Sequence, residues 1–576
     1  MARVEALARP DLGGLLPPRV SFQLVAGLLV LAGVATLTLV PVLFVIVGSF
    51  DVRQSGDPAT FGLEAWRSSL LDSPRTRSAV GYSFLLALRA PVAAVVAFFL
   101  AWLIIRTRLP ARSFIEFAFW VAFFLPALPV TLGWILVLDP NYGLLNAGVR
   151  SILPLNGPLF NIYSVAGILW VHVTAATVPV MVILLGPALR QLDASLEDSA
   201  RACGSSPLQV FQKISLPILA PAVLTAALAG FIRSLEAFEV EQVLGRPAGI
   251  YVYSTRIYDL ITWEPPLFPE AMALSTFVLG ILVVIAVIYQ RYSQGRGFAT
   301  ITGRGVTFRP LATGAWRYPA SALLFGLVAI VVLLPIAMLV GGSFMKLFGF
   351  FGSDSFTTQH WQRVLHDPVF LLSVRNSLAI SLGTASLGVL LYALLAYMLV
   401  RSRLYARSLI DVLVWLPWTI PGILLGIGLL WLVLSNPLLS LLYGTTAVLI
   451  LVLVVKDLPI GTHMMQTSIG QIGLELEQSS RVCGAGWFVT FRKIVLPLMR
   501  PMLVSIFVLT FISALRDVST TILLVTPSTR PLSILMLEYA SSSARESAAV
   551  IGVLIAATAM VVALVARRLG LQVAQR

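Results

Sequence analysis

Leu196-Glu197-Asp198-Ser199-Ala200-Arg201-Ala202-Cys203-Gly204 is a polar stretch in a very apolar chain, and nine residues after its glycine comes Ile214-Ser215-Leu216-Pro217. The pattern returns at Leu476-Glu477-Gln478-Ser479-Ser480-Arg481-Val482-Cys483-Gly484, followed by Ile494-Val495-Leu496-Pro497. Gly204, Ile214, Leu216 and Pro217 each have a counterpart 280 residues on. Each island reads as a short surface helix, a turn at the glycine and a second helix. Glycine supplies the positive φ that ends a helix, and Pro217 or Pro497 suits the first turn of the next one.

The surroundings of the islands set the fold class. The chain has 576 residues, 58% of them hydrophobic and 11% charged, with a mean hydropathy of +0.92; a soluble domain carries about 25% charged residues. Runs of roughly 20 apolar residues are each long enough to cross a bilayer of about 30 Å as a helix. They are too long and continuous for the alternating segments of about ten residues that a barrel needs. The reading is an all-α polytopic membrane protein of about twelve transmembrane helices in two parallel six-helix repeats.

Spans are expected at roughly 22–49, 78–105, 113–138, 164–189, 218–241 and 270–290, then 319–344, 373–400, 408–434, 445–468, 498–524 and 546–566. The organisation is a tail 1–21, a first permease domain 22–290 with its island at 190–217, and a linker 291–318. A second domain 319–567, with its island at 470–497, and a tail 568–576 complete it. The run from Phe22 is too long for a cleavable signal, so a retained first span is expected. Pro41 to Phe50 answers Pro335 to Phe344, and Arg106, Arg108 and Arg112 answer Arg401, Arg403 and Arg407. Pro126 and Pro129, and Pro417 and Pro421, should kink the third span of each half because proline removes a backbone donor.

The net charge of +14 points to basic cytoplasmic loops rather than to nucleic acid. Arg3, Arg9 and Arg19, Arg106 to Arg112, Arg190 to Lys213, Arg291 to Arg317, Arg401 to Arg407, Arg481 to Arg500, and Arg567 to Arg576 fall on one side. That side, with both termini and both islands, is expected to be the cytoplasm. Cys203 and Cys483 are then expected as small buried packing groups, not a disulfide.

Gly, nine residues and Ile-x-Leu-Pro, preceded by small residues, resembles the EAA loop of permease subunits in bacterial ABC importers of the type I class. Asp198-Ser199-Ala200 and Gln478-Ser479-Ser480 stand where the family has Glu-Ala-Ala, with Glu197 and Glu477 just before them. The resemblance implies that each island is a coupling helix docked on a cytoplasmic ATPase. The docking residues are then Glu197, Asp198, Ser199, Ala200, Gly204, Ile214, Leu216 and Pro217, with Glu477, Gln478, Ser479, Ser480, Gly484, Ile494, Leu496 and Pro497. It further implies two ATPase copies, a periplasmic or extracellular substrate-binding protein, a bacterial inner membrane, and alternating access driven by ATP and Mg in the partner. A P-loop needs Gly-Lys-Ser/Thr; none of Lys213, Lys346, Lys456 and Lys493 follows a glycine, so this chain is not expected to be an enzyme or to hold a cofactor of its own.

Two six-span halves in one chain look most like the fused permeases of ferric iron uptake, a likeness shared by Leu235 to Val240 and Leu515 to Thr521. The same machinery serves thiamine, phosphonates and sugar phosphates. A secondary transporter could share parallel repeats but has no need of two matched docking loops. Glu236, Glu239, Glu241, Arg516 and Asp517 near the end of each fifth span are the candidate translocation path or gate. Intramembrane charges are costly and face a cavity or a partner, and carboxylates suit a hard cation. The competing reading makes Arg233, Arg516, Glu236 and Asp517 ion pairs that hold a gate shut. His172 reads as a helix–helix hydrogen-bonding group. His360 and His366 lack a metal-site pattern, and Lys456 and Asp457 are left between pairing and lining the path. Tyr251, Tyr253, Tyr258 and Trp263 are expected at the membrane interface.

Overall fold

A computed structural model describes residues 22–51, 60–154, 157–190, 192–294, 314–352, 354–401, 407–542 and 544–568. The tails 1–21 and 569–576, the linker from 295 to 313 and Arg403 lie outside the described residues. Among the described residues nine helices are long and apolar enough to cross a bilayer, and three bent helix pairs bring the number to twelve, six in each half. The only extended pairings among them are two isolated bridges, Asp51 with Phe61 and Met345 with Phe356, at equivalent places in the two halves.

The third spans break where the prolines require it. In the first half Arg112–Phe124 and Ala127–Leu138 meet at 105°, and in the second Arg407–Thr419 and Gly422–Ser435 meet at 115°. A residue before proline is pushed out of the helical region. Leu125 and Ile420 accordingly have ψ of 129° and 117°. Pro126 and Pro421 make the breaks. Pro129 sits in the first turn of the restarted helix, where a missing N–H costs little, and Pro417 opens a short 3-10 turn.

The fifth spans end earlier than their apolar runs. The first is Leu208–Leu235, and the second bends by 74° between Trp487–Leu498 and Arg500–Arg516. Glu236 and Asp517 therefore lie at helix ends, and Glu239 and Glu241 in the short helical segment that follows, not inside the fifth spans. Each fifth span contains a wide π-turn near its start, with Leu216 N–H donating to the Phe211 carbonyl and Leu496 N–H to the Phe491 carbonyl. The turn absorbs the donor missing at Pro217 and Pro497.

The first span of each half packs on the other half. Phe22–Gly48 lies against Gly422–Ser435, and Leu334–Ser343 lies against Ala127–Leu138. The crossings are backbone to backbone. A Cβ added to Gly133 would stand 2.1 Å from the Pro335 carbonyl oxygen, and one added to Gly428 would stand 2.5 Å from the Pro41 carbonyl oxygen. Small residues allow such close approach where no hydrophobic drive acts between helices.

Above these crossings a second pair of matched contacts closes each first span. Trp66 Nε1–H donates to Ser49 Oγ at 3.2 Å, and Trp361 Nε1–H to Ser343 Oγ at 3.2 Å. The same indoles stack on Phe50 and Phe344, with ring centres 5.6 and 5.5 Å apart. This explains why Ser-Phe recurs at the end of both first spans.

Overpacking a filled site costs about 1–3 kcal/mol. Gly133→Ala and Gly428→Ala are expected to lower the thermal-unfolding midpoint of the detergent-purified protein. Gly81→Ala, whose added Cβ would meet nothing within 4 Å, is the control and should leave it in place. Equal midpoints for all three would show that the crossings carry no packing constraint.

Candidate functional site

Both islands fold as a helix, Ala194–Ala202 or Leu474–Val482, ended by a left-handed glycine. Gly204 has φ +85° and Gly484 φ +80°. Their N–H groups donate to the Arg201 and Arg481 carbonyls at 2.9 Å, and the next residues, Ser205 and Ala485, donate to the Ala200 and Ser480 carbonyls. This Schellman pairing satisfies the last carbonyls of the helix. An added Cβ at either glycine would meet nothing within 4 Å, so the constraint is the backbone angle and not space.

The carboxylate that fastens each island is Glu197 or Glu477. Glu197 is fully buried against Arg106 at the end of the second span and accepts from Ser215 Oγ at 2.9 Å. Arg106 also donates to the Leu192 carbonyl. In the second half Arg401 Nε stands 2.8 Å from Glu477 Oε1, and Tyr397 OH donates to Glu477 Oε2 at 2.7 Å. The third partner has moved. Ser215 corresponds to Val495, which has no hydroxyl, and Tyr397 corresponds to Trp102. The tyrosine restores the bond that the valine loses.

The position where the family has its glutamate faces outward. Asp198 pairs with Arg201 one turn on, both partly exposed, and Gln478 is exposed. Ser199 and Ser479 are exposed or half-buried, as are Ala200 and Ser480. Ile214 and Ile494 are half-buried, while Leu216 and Pro217 are exposed. Cys203 and Cys483 are free and exposed, which corrects the expectation of buried packing groups: each lies at the helix end beside the turn, on the side away from the spans. Apolar side chains also face outward on both islands, including Leu196, Leu208, Leu476, Val482 and Phe488.

The second group of charges lies at the seam between the halves. Arg233 pairs with Glu236 at 2.6 Å and places its guanidinium 4.8 Å from the centre of the Trp418 ring. Arg516 donates to the Phe123 carbonyl at 3.3 Å. Phe123 and Trp418 are equivalent positions, each just before the break of a third span. Each half thus sends one arginine to the broken helix of the other.

Asp517 pairs with Lys456, which gives Lys456 the pairing role that the sequence left open beside a path-lining one. The reason is local: Asp517 caps the next turn, accepting from Thr520 and Thr521 N–H at 3.2 Å, and this turns it toward the fourth span. Asp457 accepts from Ser513 Oγ at 3.1 Å. Glu241 is fully buried elsewhere, 2.7 Å from His172 Nε2, so His172 joins helices as expected and Glu241 does not share the seam. Tyr253 is buried rather than interfacial. Its N–H donates to Ser83 Oγ at 2.8 Å, while Trp263 is half exposed. The sequence reading missed Trp418, Phe123, Tyr397 and the clamping role of Arg106 and Arg401; the recurrence of each position 295 residues apart was the available signal.

Known proteins resemble this chain. Residues 368–575 match the family described as binding-protein-dependent transport system inner membrane component. The chain is 30% identical over 177 residues to a molybdate/tungstate transport system permease protein of Thermococcus kodakarensis, which covers 31% of this chain and 69% of that one. The chain belongs to this family. It is also 26% identical over 560 residues to a probable ABC transporter permease protein of Sinorhizobium fredii, 95% of this chain and 96% of that one. A third relative, an Fe(3+)-transport system permease protein of Haemophilus influenzae, is 24% identical over 486 residues, 82% and 86% of the two chains. The protein is a permease subunit of an ABC importer and a multi-pass inner-membrane protein.

Removing one partner of a buried ion pair costs about 3–5 kcal/mol, because the other charge is left unpaired. Exposed pairs are worth about 0–1 kcal/mol. In this permease Glu197→Gln is expected to lower the unfolding midpoint sharply and Asp198→Asn hardly at all. A larger loss from Asp198→Asn in a thermal melt would move the anchor to the outward-facing position.

Proposed function

We propose that the protein is the translocation subunit of a ferric iron importer, in which two cytoplasmic ATPase subunits dock on the islands and drive the halves between inward- and outward-facing states. The observation that carries this is the clamp of each island to the second span of its own half through Arg106–Glu197 and Arg401–Glu477. A push on an island is transmitted to a membrane span through a buried ion pair and not through a loose loop. The apolar side chains that the islands leave exposed give an ATPase groove something to bury. In this reading the islands and both termini are cytoplasmic, ATP and Mg are bound and hydrolysed in the partner, and a substrate-binding protein delivers cargo from the outer side. Residues 22–290 and 319–567 are the two permease domains, joined by the linker 291–318.

Iron is favoured by the similarity to the Fe(3+)-transport permease along most of both chains and by carboxylates at the seam, since hard cations take oxygen ligands. An oxyanion is the second reading, favoured by the 30% identity to the molybdate/tungstate permease. In proteoliposomes holding the whole importer with its binding protein, ATP should drive accumulation of labelled ferric iron. Unlabelled ferric iron should compete and molybdate should not. Uptake of molybdate with no iron uptake would replace the first reading by the second.

The two cysteines are natural reporters of orientation, as the sequence has no others. A membrane-impermeant maleimide should label Cys203 and Cys483 in inverted vesicles and not in right-side-out ones. Bound ATPase should protect them. Labelling from the outer side would invert the topology and remove the docking reading.

A further inference from the structure

The two islands share a frame but not a surface. Val482 stands where the first island has Ala202, Trp487 where it has Pro207, Phe488 where it has Leu208 and Val489 where it has Gln209. All four are exposed, Val482 by 88%, Phe488 by 63% and Trp487 by 41%. They flank the Gly484 turn, one before it and three after it. Helix geometry directs them away from the spans. Val482 is five residues past Glu477, which places it about 140° around the helix, and Glu477 is the side chain buried against the second span of its half. Phe488 is two residues before Thr490, about 200° around its own helix. Thr490 is buried, with its Oγ1 2.9 Å from Ser480 Oγ of the preceding helix.

The second island gives up local stability for this surface. In the first island Ser206 and Gln209 cap the helix Pro207–Val210 reciprocally. Ser206 N–H donates to Gln209 Oε1 at 2.8 Å, and Gln209 N–H donates to Ser206 Oγ at 3.3 Å. Such a pairing satisfies two N–H groups that a helix start leaves free. Gly486 and Val489 stand at these positions in the second island and offer no acceptor. The charges differ too. Arg201 is paired with Asp198, whereas Gln478 replaces that aspartate beside Arg481, which is exposed. Trading capping groups for exposed apolar ones costs the free chain stability, and the cost is recovered where a partner covers the patch.

Trp487 is braced from behind. Its ring stacks on Phe491 with centres 5.4 Å apart and meets Tyr397 edge-on at 5.8 Å, and Tyr397 donates to Glu477 of the clamp. A ring already held in place loses little side-chain freedom on binding. Pro207 gives the first island no such ring.

We infer that the second island is the tighter of two unequal ATPase docks, anchored by Trp487 and Phe488 with Arg481 beside the turn. Interfaces take most of their energy from a few residues, Trp and Arg prominent among them, seated in desolvated pockets. The partner that fits is an ATPase subunit whose groove is apolar and rimmed by a carboxylate. The first island, with Leu208 as its one large apolar group at the four positions, is the weaker dock. An ATPase subunit offered to the free permease therefore occupies the second island first.

This inference rests on the docking reading of the islands, and one titration separates the two. The whole permease in lipid nanodiscs is titrated with the purified ATPase subunit of the same importer, without nucleotide, and then pulsed with a membrane-impermeant maleimide. Labelling of each cysteine is read from its own proteolytic peptide by mass spectrometry. Cys203 and Cys483 hold the same place in the two islands and are both exposed, so each reports its own dock. Half-protection of Cys483 is expected at about one tenth of the ATPase concentration that half-protects Cys203, a difference of about 1.4 kcal/mol. Trp487→Ala and Phe488→Ala should each raise the Cys483 half-point by about tenfold and leave that of Cys203 in place. Ala202→Val with Gln209→Val should draw the two half-points together. Equal half-points in the wild-type protein, or earlier protection of Cys203, would overturn the inequality and leave docking intact; protection of neither cysteine would overturn docking itself. Phe488→Ala leaves the stack of Trp487 on Phe491 untouched and carries the test should Trp487→Ala not fold. A Phe488→Ala half-point equal to that of wild type would remove this ring from the dock and assign it to the lipid surface.

Discussion

The backbone donors missing at Pro126 and Pro421 govern how the two halves of this molecule meet. A proline inside a span removes a hydrogen bond that lipid cannot replace, so the chain must be re-satisfied by protein or water. Here the helices turn through more than a right angle at both prolines. The restarted helices, Ala127–Leu138 and Gly422–Ser435, each receive the first span of the opposite half. The carbonyl ends they leave behind become the places where Arg516 and Arg233 arrive from across the seam. One local defect, repeated 295 residues later, thus fixes how the halves interlock and where the charged seam forms.

At the other end of the spans the equivalent fixture is the arginine–glutamate clamp. Arg106 and Arg401 belong to a basic loop whose first role is topological. Their burial against Glu197 and Glu477 gives them a second role, the mechanical joint between island and span. The third member of the joint differs, Ser215 in one half and Tyr397 in the other, yet both glutamates accept a hydroxyl. Retention of the hydrogen bond while its donor changes shows that the environment around the carboxylate is constrained more tightly than any one neighbour.

The frame was legible in the sequence because its signals are long or periodic. Apolar runs announced the spans, prolines announced the breaks, and paired glycines announced the island turns. The seam was legible only in part. Arg516 and Asp517 are adjacent, but a turn capped by Asp517 sends one to Lys456 and the other across to Phe123, and neighbouring charges in sequence carry no information about which way each points. Glu236, Glu239 and Glu241 read as one acidic patch; the helix ends at Leu235, and the bend beyond it delivers Glu241 to His172 instead. The exposed cysteines show the same limit. Composition favours burial of a small apolar thiol, whereas position at a helix end facing away from the spans decides its exposure.

The two halves share a frame and differ in their charges. The first keeps His172 with Glu241 and Arg233 with Glu236; the second keeps Lys456 with Asp517. At the paired helix breaks the first half presents a backbone carbonyl at Phe123 and the second presents the ring of Trp418. A carbonyl oxygen can ligate a bare cation, whereas an indole face attracts a cation through its quadrupole and offers no lone pair. The two breaks therefore differ in what they offer a neighbouring cation. Fusion of the halves in one chain makes that possible. Two identical subunits would place the same group on both walls, while a fused chain can place a carbonyl on one and a ring on the other.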